Sequence, residues 1–435
     1  MKILPSLSIT LTGLMLLTYL PIMGAPNDTA LTWDKCVKEA ASNNRDVLTA
    51  EQTVKADEDA HVASLGQFLP QINFNTSIGH SGPGGLNDAI HNFNDFPPSN
   101  QTTSLSLTAS QDIFEGFKDF ASVDQANAQL DLARAQLQQA KAQLSHDLKV
   151  DFYTLLYTQQ EITLLQNITD RDQANADLVQ MNFDGGTDNK GSLLQAQVAV
   201  EQDKLFVLEA QRALRVAQKN LDQVLGRNPM GDIEVQGAFE TPTLPDSLPN
   251  FVELTNQTPA HLEAMDQLRL SDSSYVIARG AFLPTLSANA SLSNGGWNYG
   301  ELNSPDWSAG LSLSFPLFTG GHDFFTLKSA EESKKGVEDT LQSTDLKTES
   351  LLESDWAGYV NAVDQIKVQD FQVKAAQVQE EIGKTEYLNG LLIFVNWNQL
   401  ETALTNQQKT ELSDLLNAKN TEAVWELDQG KGEIP

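Results

Sequence analysis

The sequence predicts an α+β membrane protein: a transmembrane β-barrel shared by several copies of the chain, continued by a long antiparallel α-helical coiled coil. Three observations lead there. The chain repeats itself, two long proline-free stretches carry heptad spacing, and four short segments alternate apolar with uncharged polar residues.

The repeat is direct. Phe68-Leu69-Pro70-Gln71-Ile72 returns as Phe282-Leu283-Pro284-Thr285-Leu286, 214 residues later. Ile113-Phe114-Glu115-Gly116-Phe117 returns as Leu317-Phe318-Thr319-Gly320-Gly321, and Phe183-Asp184-Gly185-Gly186 as Tyr387-Leu388-Asn389-Gly390, both at an offset of 204. A ten-residue insertion after the first FLP unit reconciles the offsets. Duplication at this length points to one architecture built from two similar halves. The reading is an export signal over 1–25, a first repeat over 26–230, a linker over 231–250 and a second repeat over 251–435.

None of the 16 prolines falls between Ser99 and Asn228 or between Leu317 and Ile434. An interior proline costs a helix about 3 kcal/mol, so both stretches are free to be helical. Val123, Leu130, Leu137 and Leu144 fall seven apart, with Ala126, Ala133 and Ala140 between them. Val200, Val207, Leu214 and Leu221, with Ala210 and Ala217, repeat the pattern, as do Leu352, Tyr359, Ile366 and Val373. These are coiled-coil seams in which alanine lets helices approach closely. The expected helices run over 117–182 and 321–387, each followed by one of 35 residues. A shorter helix precedes each FLP unit, over 33–66 and 251–280. Laid end to end, the shorter helices match one long one.

Between the helices, Ile72, Phe74 and Ile78 alternate with Asn73, Asn75 and Ser77, and Leu105, Leu107 and Ala109 with Ser104, Ser106 and Thr108. Leu286, Ala288, Ala290 and Leu292 alternate with Thr285, Ser287, Asn289 and Ser291. Trp307, Ala309, Leu311, Leu313 and Phe315 alternate with Ser308, Gly310, Ser312 and Ser314. A sheet over a soluble core would carry Lys, Glu and Arg on its wet face. Small uncharged residues there suit a barrel with lipid outside and a watery lumen inside. Four strands cannot close such a barrel, and open edges in lipid cost several kcal/mol per unpaired group. Two chains would give eight strands with a side-chain-filled lumen; three would give twelve with aqueous space, which favours a homotrimer.

A lone charge, Lys2, precedes the apolar run Leu7–Leu20, and Gly24 and Ala25 follow, as in a secretory signal. The net charge of −30 disfavours nucleic acid as a partner. Cys36 is the only cysteine, so no intrachain disulfide forms. Asp34-Lys35 before it do not suit a lipid-anchor site, and a small apolar residue on a helix face is the plainer reading.

The opening Leu31-Thr32-Trp33-Asp34-Lys35-Cys36-Val37 with Asn43-Asn44, the two FLP units, and Phe183-Asp184-Gly185-Gly186-Thr187-Asp188-Asn189-Lys190-Gly191-Ser192-Leu193-Leu194 together resemble the TolC-like outer-membrane efflux proteins. The resemblance spans essentially the whole mature chain. It implies a trimer with a twelve-stranded outer-membrane barrel and a periplasmic helical tunnel. It also implies a periplasmic adaptor (membrane fusion protein) and an inner-membrane RND or ABC transporter as partners. The tip turns, with Gly185, Gly186, Asn189, Lys190, Gly191, Ser192 and Gly390, are then the adaptor contacts. The family often places acids six and nine positions after the second-tip glycine, ringing the closed aperture. Here those positions are Asn396 and Gln399, both neutral; Glu401 is the nearest acid, and Trp397 supplies bulk there or fills the helix interface.

No catalytic set, cofactor motif or metal site is expected. The six histidines (61, 80, 91, 146, 261, 322) lack ligand spacing, and Gly82-Pro83-Gly84-Gly85 lacks the Lys-Ser/Thr of a phosphate loop. The exit component of type I protein secretion shares this design, so the cargo stays open. A pore-less periplasmic coiled-coil scaffold is the rival from another class, and the uncharged alternating strands argue against it.

Overall fold

A computed structural model describes residues 31–81, 100–228, 231–244, 247–296 and 302–435. The export signal, most of the two strand-joining loops (His91 and the Gly82–Gly85 run among them) and parts of the linker lie outside these residues. The chain runs α1 (Trp33–Asn43), α2 (Arg45–Ser64), β1 (Gln71–Ser81), β2 (Asn100–Phe114), α3 (Lys118–Asp184) and α4 (Lys190–Val224). It then repeats: α5 (Phe251–Thr255), α6 (Pro259–Gly280), β3 (Thr285–Gly296), β4 (Ser304–Ser314), α7 (His322–Leu388) and α8 (Phe394–Asp428).

The 67-residue helices α3 and α7 are about 100 Å long at 1.5 Å per residue. Each folds back across a tight turn onto a 35-residue partner, α4 or α8, and α8 also packs on α3. Each expected shorter helix is in fact two. Asn44 interrupts the first by accepting hydrogen bonds from the Asp46 (3.0 Å) and Val47 (3.3 Å) amides, an N-cap inside the run. The second breaks at Thr258, which caps α6 ahead of Pro259.

Short helices do lie end to end. Asn44 Nδ2 donates to the Val224 carbonyl at 3.2 Å where α1–α2 meets the end of α4, and Gly430 beyond α8 abuts Pro259. The heptad residues form the seams: Leu130, Leu144, Val200, Leu221, Leu352, Tyr359 and Val373 are buried. Largest of the cores is the cluster around Cys36, Leu148, Phe152, Leu155, Leu221 and Leu225, to which linker residues Ile233 and Val235 contribute. Gln159 ties Val235 down through both of its backbone groups (3.0 and 3.2 Å).

The four strands make one antiparallel sheet in the order β1-β2-β3-β4. Its register carries the alternation across all four strands. Phe74, Leu107, Leu292 and Trp307 form one cross-strand row; Asn73, Thr108, Ser291 and Ser308 form a row on the opposite face. On the polar face the Ser77–Ser104 and Ser291–Ser308 hydroxyls bond at 2.7 and 2.9 Å. The apolar face stays bare: Ile72, Phe74, Trp307, Leu311 and Leu313 are all more than 60% exposed. No described helix is long and apolar enough to cross a membrane.

Candidate functional site: helical tips and open edges

Both tips are built alike. At the first, the Gly186 amide donates to the Phe183 carbonyl (3.0 Å) and the Thr187 amide to that of Asn182 (2.9 Å). At the second, the Gly390 amide donates to Tyr387 (3.0 Å) and Leu391 to Glu386 (2.9 Å). Such paired bonds close a helix when the residue after the cap turns left-handed; Gly186 has φ +75° and Gly390 φ +69°. A side chain at either glycine would meet open space, so only backbone strain resists one there. Gly185 is the right-handed cap itself. Asn189 caps α4 by accepting from the Ser192 amide at 3.1 Å, and Gly185, Asn189, Lys190 and Gly191 face solvent beside a buried Ser192. The two tips are tied together by Tyr387, whose hydroxyl donates to Asp188 Oδ2 (2.8 Å) and accepts from Asn182 Nδ2 (3.1 Å).

The aperture candidates divide. Asn396 and Gln399 face solvent on α8. Trp397 and Glu401 are buried within the chain, and of the two readings left open for Trp397 the helix interface is the one its packing fits. Trp397 is 1% exposed, stacks on Tyr387 (4.7 Å between ring centres) and donates to Glu380 at 3.2 Å; it fills the helix interface. Glu401 is buried against the Arg171 guanidinium of α3, which also donates to Thr405 Oγ1 (2.7 Å) and Gln408 Oε1 (3.3 Å) of α8. Sequence reasoning missed Arg171. The signal was there: 204 residues on, the repeat has Ala375.

The third feature is a set of unmatched surfaces. Among the described residues, strands β1 and β4 each pair on one side only. A heptad stripe on α7 (Val368, Phe371, Val378, Ile382) and another on α4 (Leu194, Val198, Leu205, Leu208) lie bare. Backbone packs on backbone at Gly116, where a Cβ would meet the Gly280 carbonyl at 2.6 Å, whereas a Cβ at the repeat counterparts Gly320 and Gly66 would meet open space. Cys36 is fully buried on α1, and burial pushes its thiol up to about 12.

Comparison with known proteins converges on one family. The outer membrane efflux protein model matches residues 36–227 and 252–424. The probable outer membrane lipoprotein SilC of Salmonella typhimurium is 24% identical over 87% of this chain and 81% of its own length. The cation efflux system protein CusC of Escherichia coli K12 is 22% identical over 89% of this chain and 84% of its own. A crystal structure of CusC superposes with a TM-score of 0.82, covering 92% of both chains at 19% identity. VceC, an outer membrane protein of Vibrio cholerae, superposes at 0.80 over 92% of this chain and 96% of its own, at 18% identity. The match takes in both repeats, and the chain belongs to the outer membrane efflux protein family.

Proposed function

We infer that three copies of this chain form the outer-membrane duct of a tripartite efflux system, receiving substrate from an inner-membrane transporter through a periplasmic adaptor. The open edges carry this reading. Within the chain the most extensive contacts between the first half and the second are β2 with β3, α3 with α6, and α3 with α8. Shifting each junction by one repeat names its counterpart: β4 with β1, α7 with α2, and α7 with α4 of the next copy. The surfaces left bare are these same surfaces: the edge strands, the α7 and α4 stripes, and the Gly320 and Gly66 backbones. Three copies give twelve strands, enough for a barrel with an aqueous lumen. The apolar face then meets lipid and the Ser/Thr/Asn face water. Edge closure leaves no backbone group unpaired in the bilayer.

At the far end the paired tip turns supply the adaptor contacts, and the α8 face with Asn396 and Gln399 borders the entrance. Two measurements test the reading. Native mass spectrometry of the detergent-solubilised protein is expected to give three chains, and planar bilayers to show conductance. A stable monomer from the membrane fraction would overturn it.

A further inference from the structure

Arg269 of α6 reaches across the internal seam to α3. Its guanidinium bonds Asp131 Oδ2 at 2.7 Å and lies 3.5 Å from Asp124 Oδ1, while the Ser273 hydroxyl donates to Asp124 Oδ2 at 3.1 Å. Helices α2 and α6 are repeat mates in step: Arg45 and Pro259 open them, and Asn44 and Thr258 cap them. The offset of 214 therefore turns Arg269 into Lys55 and Ser273 into Asp59. On the long helices the offset of 204 turns Asp124 into Lys328, Ala128 into Glu332 and Asp131 into Lys335.

These changes answer one another. Where α3 offers acids, α7 offers lysines, and where α6 has a hydroxyl, α2 has a carboxylate. Lys55 and Asp59 lie four apart on one face of α2, while Glu58 turns the adjoining face to Arg134 of its own α3 at 3.3 Å. Lys55, Asp59, Lys328 and Glu332 are all exposed. Among the described residues the first three have no ion pair, and Glu332 meets only Lys335 of its own helix, at 3.5 Å. Nearer the barrel, Val62 and Phe325, the counterparts of Val276 and buried Ala121, are bare as well.

We propose that Asp59 and Lys55 of α2 pair with Lys328 and Glu332 on α7 of the next copy, a charge ladder that sets the register and order of copies around the ring. It rests on the shared barrel inferred above and names the polar half of that seam; the α7 and α4 apolar stripes serve the half nearer the tips. The ladder also tells the two kinds of short helix apart. A second α6 on the open α7 face would put Arg269 beside Lys328 and Lys335, and α2 in the place of α6 would put Asp59 beside Asp124. Like charges in those positions reject the wrong mate, so each α7 receives an α2 and copies join head to tail.

Disulfide trapping tests the contact. Full-length chains carrying Asp59→Cys are produced together with others carrying Lys328→Cys, and Cys36 stays buried. Mild oxidation is expected to link the two chains on non-reducing gels, and to link none when Asp124→Cys replaces Lys328→Cys. For the charges, Asp59→Lys or Lys328→Asp alone should lower the trimer recovered at low salt roughly fivefold, and both in one chain should restore it. Both side chains are exposed, so the variants leave the packing within the chain intact. A parent trimer that gives no Asp59–Lys328 link, or a double variant no better than the single ones, overturns the ladder and keeps the duct. A parent that is monomeric by native mass spectrometry overturns the duct reading and the ladder with it.

Discussion

The junction between the two halves of this chain and the one proposed between its second half and a neighbouring copy use repeat-related surfaces, and the differences between them are instructive. Inside the chain, Gly116 and Gly280 press backbone to backbone, and Arg171 bridges to Glu401. On the open side, Gly320 and Gly66 have room, and Ala375 stands where Arg171 would be. The repeat makes the two sides alike in pattern, while the Arg171 bridge has no charged counterpart at Ala375. In the proposed trimer, the outer seam would rely on apolar stripes and strand pairing, which suit permanent closure.

The largest expected effect breaks the symmetry of the glycines. Gly116→Val should destabilise by roughly 3–5 kcal/mol, combining left-handed strain with overpacking against Gly280. Gly320→Val should cost the isolated chain only about 1–2 kcal/mol of strain but block trimer assembly. Denaturant melts and native mass spectrometry separate the two, and equal behaviour would erase the distinction between closed and open seams.

Next comes the sheet. Leu311→Arg, on the bare apolar face, should lose roughly 2–4 kcal/mol near the bilayer midplane, whereas Ser312→Arg should assemble and alter conductance. Heat-resistant trimer on gels gives the readout, and matching losses would contradict the face assignment.

Smaller again is Gly390→Val, at about 1–2 kcal/mol, because the tip has space and only φ resists. Gly390→Asn should be milder, since Asn tolerates this conformation. Export assays should fall for the first while the barrel trimer persists. Least costly to stability, within about 0.5 kcal/mol, is Asn396→Asp with Gln399→Asp on the exposed α8 face. That pair should strengthen divalent-cation block in single-channel recordings. Unchanged block would remove both residues from the aperture.

Local periodicity wrote much of this molecule into its sequence. Period-two segments became strands in a shared register, heptads became buried seams, and Gly186 and Gly390 mark turns that demand positive φ. Even the missed break before α6 was legible in Thr258-Pro259, a cap followed by a first-turn proline. Those features depend on neighbours a few residues away. What only the tertiary structure decided is which faces of separate helices meet. It turned Trp397 and Glu401 inward, gathered Asp172, Asp203, Glu380 and Glu401 around Arg171 across as many as 230 positions, and left Gly320 open while closing Gly116. A heptad says that a helix has a partner; the partner's identity and its rotation are set by packing over the whole bundle.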